Sequence, residues 1–490
     1  MNKPLRPLFF AGTGSDVGKS ILAAAFCRIF RQDGYAPAPF KAQNMALNSF
    51  ATPEGLEIGR AQAVQAEAAG IPCHTDMNPV LLKPSSDQTS QVIVNGRPIG
   101  NRTAWEYFRN EGKAELREAA HAAYDRLAAR YNPIVLEGAG SISELNLRET
   151  DFVNLSMAAY ADAAVLLVAD IDRGGVFASV YGSIMLQSEA DRKRIKGILI
   201  NKFRGDLRLF DEGRRMLEAC CGLPVVGVIP YFRDIHIEEE DSVSLAAKQA
   251  EAEAGKINIA VVLLRHLSNF TDFDVLEHDP RVHLYYTNNV EELRKANIIV
   301  LPGSKSTLDD LAELRRNGAA QAIVRAHREG ATVVGICGGY QMLGREIVDP
   351  EGIEGDIRRL PGLGLLPLRT EMTHEKVTRQ TTFRLIGDET PCHGYEIHMG
   401  RTERLDGARP LARTDEGVEE GCVVERAMGT YLHGILDNSL FIERLLAPFT
   451  DRLTTEPFDY AAFKEEQYDR LADHVRRHVD LPTIYQFLQR

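Results

Sequence analysis

The chain has 490 residues, of which 44% are hydrophobic and 26% charged, and its formal net charge at pH 7 is -12. This length exceeds what one hydrophobic core organises and predicts two or three domains. The acidic balance argues against a general affinity for nucleic acid or anionic membranes. The seven cysteines contain no CxxC pair, so they predict neither a disulfide framework nor a zinc knuckle and fit a reducing cytoplasm. No signal peptide pattern and no apolar run of about 18 residues is present, so we expect no membrane span.

A glycine-rich loop follows the first predicted strand, residues 7–11, and precedes a helical pattern over residues 21–30. Its sequence, GTGSDVGKS, predicts backbone N–H groups that converge on phosphate oxygens, a lysine for the terminal phosphates and a hydroxyl for Mg²⁺. The first glycine comes one position earlier than in the strict phosphate-loop pattern, and this spacing resembles dethiobiotin synthetase and its relatives, which activate a carboxylate with ATP. The alternative is a chance glycine-rich turn. The predicted nucleotide contacts are Gly12, Thr13, Gly14, Val17, Gly18, Lys19 and Ser20.

Polar residues at the ends of the next predicted elements are candidates for substrate binding. Lys41 and Asn44 lie where a predicted strand ends in amides, Arg60 lies on a helix predicted over residues 58–69, and Lys83 follows an apolar run. Each could instead be a solvated loop residue or a charge at a strand end. We predict these four as substrate contacts.

A second motif of the front half is PIVLEGAG, residues 133–140, in which a predicted strand ends in Glu137. Beside a phosphate loop, a carboxylate at such a position holds Mg²⁺ together with the loop hydroxyl, here Ser20. The alternative is a glutamate that merely caps the strand. Further apolar runs at residues 163–170, 195–203 and 225–230 alternate with helical stretches, which predicts a mostly parallel α/β sheet.

The composition changes after residue 236, and a second α/β pattern begins near residue 257. We predict an ATP-dependent domain over residues 1–236, a solvated connector over 237–256, a second α/β domain over 257–447 and a helical tail over 448–490. In the second domain, strands are predicted at residues 257–264, 284–287, 298–301 and 333–336, with a helix at 307–316 and a β-rich region beyond residue 362. In the tail, Tyr468, Leu471, Val475 and Val479 recur at helical spacing, which predicts a packing helix.

The stretch GICGGYQ, residues 335–341, follows a predicted buried strand and has the pattern of a nucleophile elbow. Such a turn exposes the thiol of Cys337 at a helix N-terminus, where thiolate is favoured. The spacing resembles the glutaminase elbow of class I (triad) glutamine amidotransferases. That resemblance implies an oxyanion hole formed by Gly303, Ser304 and Gly338, and a substrate contact at Gln341.

His433, in GTYLHG, follows a predicted strand and is the best candidate for the catalytic base. It is one of 13 histidines, so a core or surface role is the ordinary alternative, but its order after the elbow fits the amidotransferase pattern. The pattern places a glutamate two residues later, where this chain has Ile435. The orienting acid is therefore missing or comes from elsewhere, with Glu396 and Glu425 both open.

Taken together, the motifs resemble the cobyric acid synthase family of cobalamin biosynthesis from end to end. The matching blocks include FKAQNMALNS, DMNPVLLKP, VLEGAG, DIDRGGVFAS, LPGSKST, GICGGYQMLG, GYEIHMGRT and YLHGIL. The resemblance implies amidation of the b, d, e and g carboxylates of adenosylcobyrinic acid a,c-diamide, with glutamine as nitrogen donor, ATP and Mg²⁺. The alternatives are the sister a,c-diamide synthase, a partitioning-type ATPase and a ligase carrying a non-catalytic amidotransferase module. The sequence leaves open whether the chain forms a homo-oligomer.

Overall fold

We describe the protein from a computed structural model, in which residues 3–84, 89–103, 105, 107, 113–238, 248–449 and 458–489 are described. The chain forms two compact units. The first contains Met1–Ala46, Ile58–Glu238 and Ala462–Arg490, and the second contains Leu47–Glu57 and Glu239–Ala461. This division differs from the predicted domains because a short segment of the front half joins the second unit and most of the predicted tail joins the first. Residues 239–247 of the predicted connector lie outside the described residues. No helix in the described part of the chain combines the length and apolarity of a membrane span.

The front half of the chain alternates strands and helices. Its strands are β1 (Leu8–Gly12), β2 (Ala38–Phe40), β3 (Gln43–Met45), β4 (Ser49–Ala51), β5 (Glu57–Gly59), β6 (Val80–Pro84), β7 (Thr89–Val94), β8 (Arg97–Thr103), β9 (Ile134–Glu137), β10 (Ala164–Asp170), β11 (Ile195–Phe203) and β12 (Val225–Pro230). Its helices are α1 (Lys19–Gln32), α2 (Arg60–Ala69), α3 (Lys113–Ala128), α4 (Leu155–Tyr160), α5 (Val176–Met185), α6 (Glu189–Arg194) and α7 (Asp211–Cys221).

The first unit is built on a six-stranded parallel sheet with the order β12-β11-β10-β1-β9-β2. Every residue of β1 and β10 is buried, as expected for parallel strands that are covered on both faces. In α1 the apolar residues Leu22, Phe26 and Ile29 recur at helical spacing and are buried, so this face packs on the sheet. The predicted α/β class and the predicted strands at 195–203 and 225–230 are confirmed. A smaller sheet has the order β3-β6-β7-β8.

The back half contains the strands of the second unit and the helices that end the chain. The strands are β13 (Ile257–Val262), β14 (Leu267–Ser268), β15 (Val282–Thr287), β16 (Ile298–Leu301), β17 (Gly303–Ser304), β18 (Thr332–Ile336), β19 (Glu346–Val348), β20 (Arg359–Pro361), β21 (Leu368–Leu385), β22 (Cys392–Arg404), β23 (Ala412–Thr414), β24 (Glu419–Glu420), β25 (Cys422–Val424), β26 (Ala427–Thr430) and β27 (Leu432–His433). The helices are α8 (Asp274–Glu277), α9 (Val290–Lys295), α10 (Thr307–Arg316), α11 (Ala319–Glu329), α12 (Gly338–Met342), α13 (Ser439–Leu446), α14 (Tyr460–His478) and α15 (Leu481–Leu488).

The second unit also has a six-stranded sheet, with the order β15-β13-β16-β18-β26-β25. Its strands are parallel except for the β25–β26 pair. A second, largely antiparallel sheet is dominated by the long strands β21 and β22, which confirms the predicted β-rich region. The predicted strand at 298–301 and helix at 307–316 are found with the same bounds.

The chain ends in two helices that return to the first unit. Tyr468, Leu471 and Val475 of α14 are buried in one hydrophobic cluster with α1 residues such as Phe26 and Phe30. The predicted packing role of the tail is confirmed for these residues. The tail is therefore part of the hydrophobic core of the first unit rather than a separate appendage.

Candidate active sites

The nucleophile elbow is formed where β18 meets α12. Cys337 has φ 53° and ψ -111°, a conformation that costs energy for a residue with a side chain and that clusters at functional sites. Two glycines make the turn sterically feasible. A Cβ on Gly339 would lie 2.0 Å from the carbonyl oxygen of Leu301, and one on Gly335 would lie 2.7 Å from the backbone of Gly339. The predicted elbow is thus present at Cys337.

His433 reaches the elbow because β26 pairs in parallel with β18. Ile336 and Thr430 are paired in this register, and the backbone N–H of Cys337 donates to the carbonyl of Thr430 at 2.8 Å. Parallel strands end at the same edge of a sheet, so His433, three residues after Thr430, lies beside the nucleophile. The side chain of Cys337 is close enough to His433 to raise the pKa of the imidazole.

The acid that orients His433 is Asp272. Its Oδ2 lies 2.6 Å from Nδ1 of His433, and its Oδ1 accepts from the backbone N–H of Gly434 at 3.1 Å. Burial by itself lowers the pKa of His433, but the charge and hydrogen bond of Asp272, together with the contact to Cys337, outweigh it and raise the pKa to about 10. The imidazole is therefore protonated at neutral pH, and Nδ1 donates to the carboxylate.

Neither acid considered from the sequence has this role. Glu396 accepts from Nε of Arg379 at 2.9 Å and from Oγ1 of Thr381 at 3.1 Å, and Glu425 lies in the turn between β25 and β26 with φ 53°. The sequence signal for Asp272 is its place between Phe270 and Phe273, and in the structure all four residues of this stretch are buried. Its partner His433 lies 161 positions away, a contact that no local pattern predicts.

The three residues predicted for the oxyanion hole lie together. A Cβ on Gly338 would be 2.9 Å from the backbone nitrogen of Ser304. A Cβ on Gly303 would be 3.5 Å from Cε1 of His433, so this glycine lies next to the imidazole. The structure brings these residues to the elbow, and their role as oxyanion donors stays a prediction.

Gln341, predicted as a substrate contact, is buried and hydrogen bonded inside the protein. Its Oε1 accepts from Oγ1 of Thr307 at 3.2 Å, and its Nε2 donates to the carbonyl of Met399 at 2.9 Å and to the hydroxyl of Tyr431 at 3.1 Å. Both ends of the amide are used in joining the elbow helix to neighbouring elements. A direct contact with substrate stays a prediction.

The predicted phosphate loop joins β1 to α1 in the first unit. Gly18 at the helix N-cap has φ 98°, a conformation that favours glycine. The Lys19 ammonium donates to the carbonyls of Gly14 at 2.9 Å and Gly140 at 3.0 Å. A Cβ on Gly12 would lie 2.7 Å from that ammonium. Of the other predicted nucleotide contacts, Thr13 donates its backbone N–H to Val168 and Val17 accepts at its carbonyl from Asn201.

Glu137 is the centre of a buried polar network at the end of β9. Its Oε1 accepts from Oγ of Ser20 at 2.7 Å and from Nζ of Lys41 at 2.8 Å, and its Oε2 accepts from Nε2 of Gln65 at 2.8 Å. Burial would raise the pKa of Glu137, but the charge of Lys41 and these hydrogen bonds lower it. The carboxylate is therefore ionised and lies beside Ser20, and the role of these two residues as Mg²⁺ ligands stays a prediction.

The remaining predicted substrate residues are buried in different surroundings. Arg60 donates from Nε to Glu238 at 2.7 Å, and both side chains are buried. Asn44 donates to Oε1 of Gln62 at 3.1 Å. Lys83 is buried on β6 of the smaller sheet. Lys41 is the member of this set that contacts Glu137. Substrate binding by any of the four stays a prediction.

A cleft of about 620 Å³ lies at the carboxyl ends of β11 and β12, and the sequence did not predict it. The guanidinium of Arg204 stacks on the ring of Tyr231 at 3.9 Å. Asn201 lies in β11, whose last residue, Phe203, lines the cleft. Its side-chain amide donates to the carbonyl of Val17 in the phosphate loop at 2.9 Å. Four lining residues come from α14, namely Arg470, Asp473, His474 and Arg477. The cleft is therefore basic, aromatic and joined to the phosphate loop through β11.

Comparisons with known proteins agree with this two-part construction. A family model described as a CobQ/CobB/MinD/ParA nucleotide binding domain matches residues 8–245, and one described as a CobB/CobQ-like glutamine amidotransferase domain matches residues 258–441. The chain is 72% identical over 491 residues to cobyric acid synthase of Bacteroides fragilis, covering 100% of this chain and 99% of that one. It is 47% identical over 497 residues to cobyric acid synthase of Salmonella agona, covering 98% and 97%. The alignment with a solved glutamine amidotransferase structure covers 39% of this chain and 97% of the other chain at 20% identity, with a TM-score of 0.31. That score is too low to carry an argument.

Proposed function

The chain belongs to the cobyric acid synthase family, and from this premise we propose that it is a glutamine-hydrolysing, ATP-dependent amide ligase of cobalamin biosynthesis. Its acceptor is adenosylcobyrinic acid a,c-diamide, and the b, d, e and g carboxylates become amides to give adenosylcobyric acid. The observation that carries the proposal is the hydrogen-bonded pair His433 and Asp272 beside Cys337 at a strained elbow, in a chain that also contains a phosphate loop. In this proposal the residues at the elbow release ammonia from glutamine, and the residues at the phosphate loop activate the carboxylic acid that receives the ammonia.

In the second unit, the thiolate of Cys337 attacks the side-chain amide carbon of glutamine. The C–N bond breaks, and the leaving nitrogen takes a proton from the imidazolium of His433, so ammonia departs and a thioester remains. Water, deprotonated by the now neutral imidazole, hydrolyses the thioester to glutamate. The backbone N–H groups of Gly303, Ser304 and Gly338, which lie together at the elbow, would stabilise the oxyanion of both steps.

In the first unit, the residues around the phosphate loop are suited to forming an acyl phosphate. A carboxylate is a poor electrophile. Transfer of the terminal phosphoryl group of ATP converts it into a mixed anhydride, and ammonia then attacks the acyl carbon and displaces phosphate to give the amide. Lys19 supplies positive charge for the terminal phosphates. Ser20 and Glu137 would hold Mg²⁺, which when bound neutralises phosphate charge. Two oxygen ligands from the protein fit the coordination preference of Mg²⁺, which usually keeps water molecules and substrate phosphate oxygens as its other ligands.

The cleft beside β11 and β12 is suited to the adenine base. The ring of Tyr231 provides a stacking surface, and Asn201 ties the end of the same strand to the phosphate loop. In open parallel sheets, ligands bind outside the carboxyl ends of the strands. A base in this cleft and a triphosphate at Lys19 would therefore lie along one edge of the sheet.

The competing activities make different products. The sister a,c-diamide synthase would amidate unmodified cobyrinic acid and stop after two amides. A ligase with a non-catalytic amidotransferase module would use ammonia but not glutamine, and the intact Cys337, His433 and Asp272 set argues against it. The cysteine content favours the cytoplasm as the compartment. Assembly into a homo-oligomer stays open.

Mass spectrometry of the corrinoid product tests the proposal. The protein is incubated with adenosylcobyrinic acid a,c-diamide, glutamine, ATP and Mg²⁺, and samples are taken over time. We expect four successive replacements of an acid by an amide, accompanied by glutamate release and ATP cleavage. No turnover of the a,c-diamide, combined with double amidation of cobyrinic acid, would assign the chain to the sister activity. Product formed with ammonium but never with glutamine would reduce the second unit to a binding module.

A further inference from the structure

Residues 47–57 lie in the region matched by the nucleotide-binding family model, residues 8–245, yet they are part of the second compact unit. Three of the first five residues of this segment are fully enclosed, since Asn48, Ser49 and Ala51 are each at most 1% exposed. A short polar stretch is buried only when its hydrogen bonds are satisfied. Its partners therefore indicate what the segment does in the second unit.

One set of contacts reaches the imidazole of His433 through Asn269. The backbone N–H of Ser49 donates to Oδ1 of Asn269 at 3.0 Å. Nδ2 of the same amide lies 3.4 Å from Nδ1 and 3.5 Å from Nε2 of His433. Nearly equal distances to the two ring nitrogens place the amide nitrogen over the ring rather than in its plane, where Nδ1 already faces Asp272. Asn269 has φ 54°, so it needs support from its neighbours to stay in this position.

A second set of contacts reaches the imidazole through Tyr395. The Tyr395 ring lies nearly parallel to that of His433, with an interplanar angle of 20° and centroids 5.2 Å apart. The ring of Phe50 packs on Tyr395 at 4.6 Å, and the Tyr395 hydroxyl donates to the carbonyl of Ser49 at 3.4 Å. Asn269 and Tyr395, which both lie against the imidazole of His433, are thus held by residues 49 and 50.

The same segment also supports the nucleophile. Ala51 shares a small hydrophobic cluster with Tyr395 and Ile397, and the carbonyl of Ile397 accepts from Sγ of Cys337 at 3.5 Å. The far end of the segment is fixed by a buried ion pair between Glu57 and Lys376. The segment is therefore anchored at both ends within the second unit.

We propose that residues 47–57 are a positioning element of the glutaminase site, acting through Asn269 and Tyr395 to hold His433 in line with Cys337. These residues do not touch the reacting atoms. The proposal rests on the proposed glutaminase function and adds to it that the catalytic geometry needs a segment supplied by the front half of the sequence. Misplacing a catalytic group by about 1 Å costs of order 10²-fold in rate, so loosening this support should be visible in turnover.

Full-length variants with matched controls test the proposal. Ser49→Pro removes the backbone N–H that Asn269 accepts, whereas Ser49→Ala keeps it. Phe50→Ala removes the ring that packs on Tyr395, whereas Phe50→Leu keeps an apolar contact. We expect Ser49→Pro and Phe50→Ala to lower the glutaminase kcat by about 10- to 100-fold with the KM for glutamine within about twofold. The two controls should stay within about threefold of the parent protein.

Two further readouts separate positioning from a structural role. The pH dependence of Cys337 alkylation by iodoacetamide, followed by peptide mass spectrometry, should shift in Ser49→Pro and Phe50→Ala because the thiol and imidazole are no longer held together. ATP-dependent amidation driven by ammonium should be unchanged. Normal glutaminase turnover in both variants would overturn the proposal, as would an equal loss of ammonium-driven amidation or a new early transition in calorimetry. Absence of Cys337-dependent glutaminase in the parent protein would instead refute the proposed function itself.

Discussion

Nδ1 of His433 lies 2.6 Å from Oδ2 of Asp272, although the two residues are 161 positions apart in the sequence. Both side chains are almost completely buried, so their charges interact with little screening. This pair keeps the imidazole protonated and in the orientation that faces Cys337. It replaces the glutamate that would follow the histidine where this chain has Ile435.

Asp272→Asn should therefore move the alkaline limb of the glutaminase pH profile to lower pH. The raised pKa of His433, about 10, means that the imidazolium is present below that pH and is lost above it. Without the carboxylate charge the proton is lost at lower pH, and turnover should fall by of order 10²-fold or more. The measurement is kcat between pH 6 and 10, with Glu425→Gln as the control that keeps the parent profile. An unshifted profile in Asp272→Asn would show that another group orients the imidazole.

The same ion pair should make stability depend on pH. Because the folded-state pKa of His433 is raised, its contribution is complete below the ordinary value of 6.5 and is lost as pH rises through about 10. Thermal unfolding of the parent protein between pH 6 and 10.5 should show this loss, and Asp272→Asn should lack that component. Parallel curves for the two proteins would contradict it.

Cys337→Ala should abolish glutamine-dependent amidation and leave the ligase intact. The elbow thiol is proposed only to liberate ammonia, so concentrated ammonium at mildly alkaline pH, where more NH₃ is present, should restore product. His433→Ala should behave in the same way, with some residual glutaminase if the helix N-terminus alone stabilises the thiolate. Corrinoid amidation and ATP cleavage are measured with each nitrogen source. Full glutamine-dependent activity in Cys337→Ala would show that the elbow is only a structural turn.

Lys19→Ala should give the opposite pattern. Removing a charge that meets the terminal phosphates weakens stabilisation of the phosphoryl-transfer transition state, and a loss of order 10²-fold or more is expected. Ammonium should not rescue it, whereas glutaminase turnover measured without ATP should persist. Near-normal amidation by this variant would remove the assignment of the phosphate loop.

Lys41→Gln should destabilise the first unit because it leaves the buried carboxylate of Glu137 without its counter-charge. Removing one partner of a buried pair costs about 3 to 5 kcal/mol. The pKa of Glu137 is depressed in the folded state, so the lost stability is that present above its unfolded pKa, and the difference from the parent should shrink as pH falls. Lys193→Gln is the matched control, since its ion pair with Glu189 has a similar distance of 2.7 Å but is exposed and should be worth under about 1 kcal/mol. Equal unfolding free energies for the two variants would contradict the argument.

Local motifs identified most of the chemistry from the sequence. The phosphate loop and the elbow are each continuous in sequence. Some of their glycines are required by local contacts, such as the 2.7 Å approach that a Cβ on Gly335 would make to Gly339, whereas Gly339 is required by its approach to the distant Leu301. Strand and helix bounds such as residues 195–203 and 307–316 follow from runs of apolar residues, whose period is a local property. For the same reason the α/β class and the order of the two halves could be predicted without coordinates.

The tertiary structure decided which distant residues complete each site. Asp272 contacts His433 across 161 positions of sequence, residues 47–57 join the second unit, and α14 packs in the core of the first. None of these pairings has a local signature, since a buried acid, a polar strand and an amphipathic helix each fit many partners. The sequence therefore determined the nucleophile, the base and the phosphate loop, whereas the acid and the supporting segments were fixed by long-range packing, which depends on the whole fold.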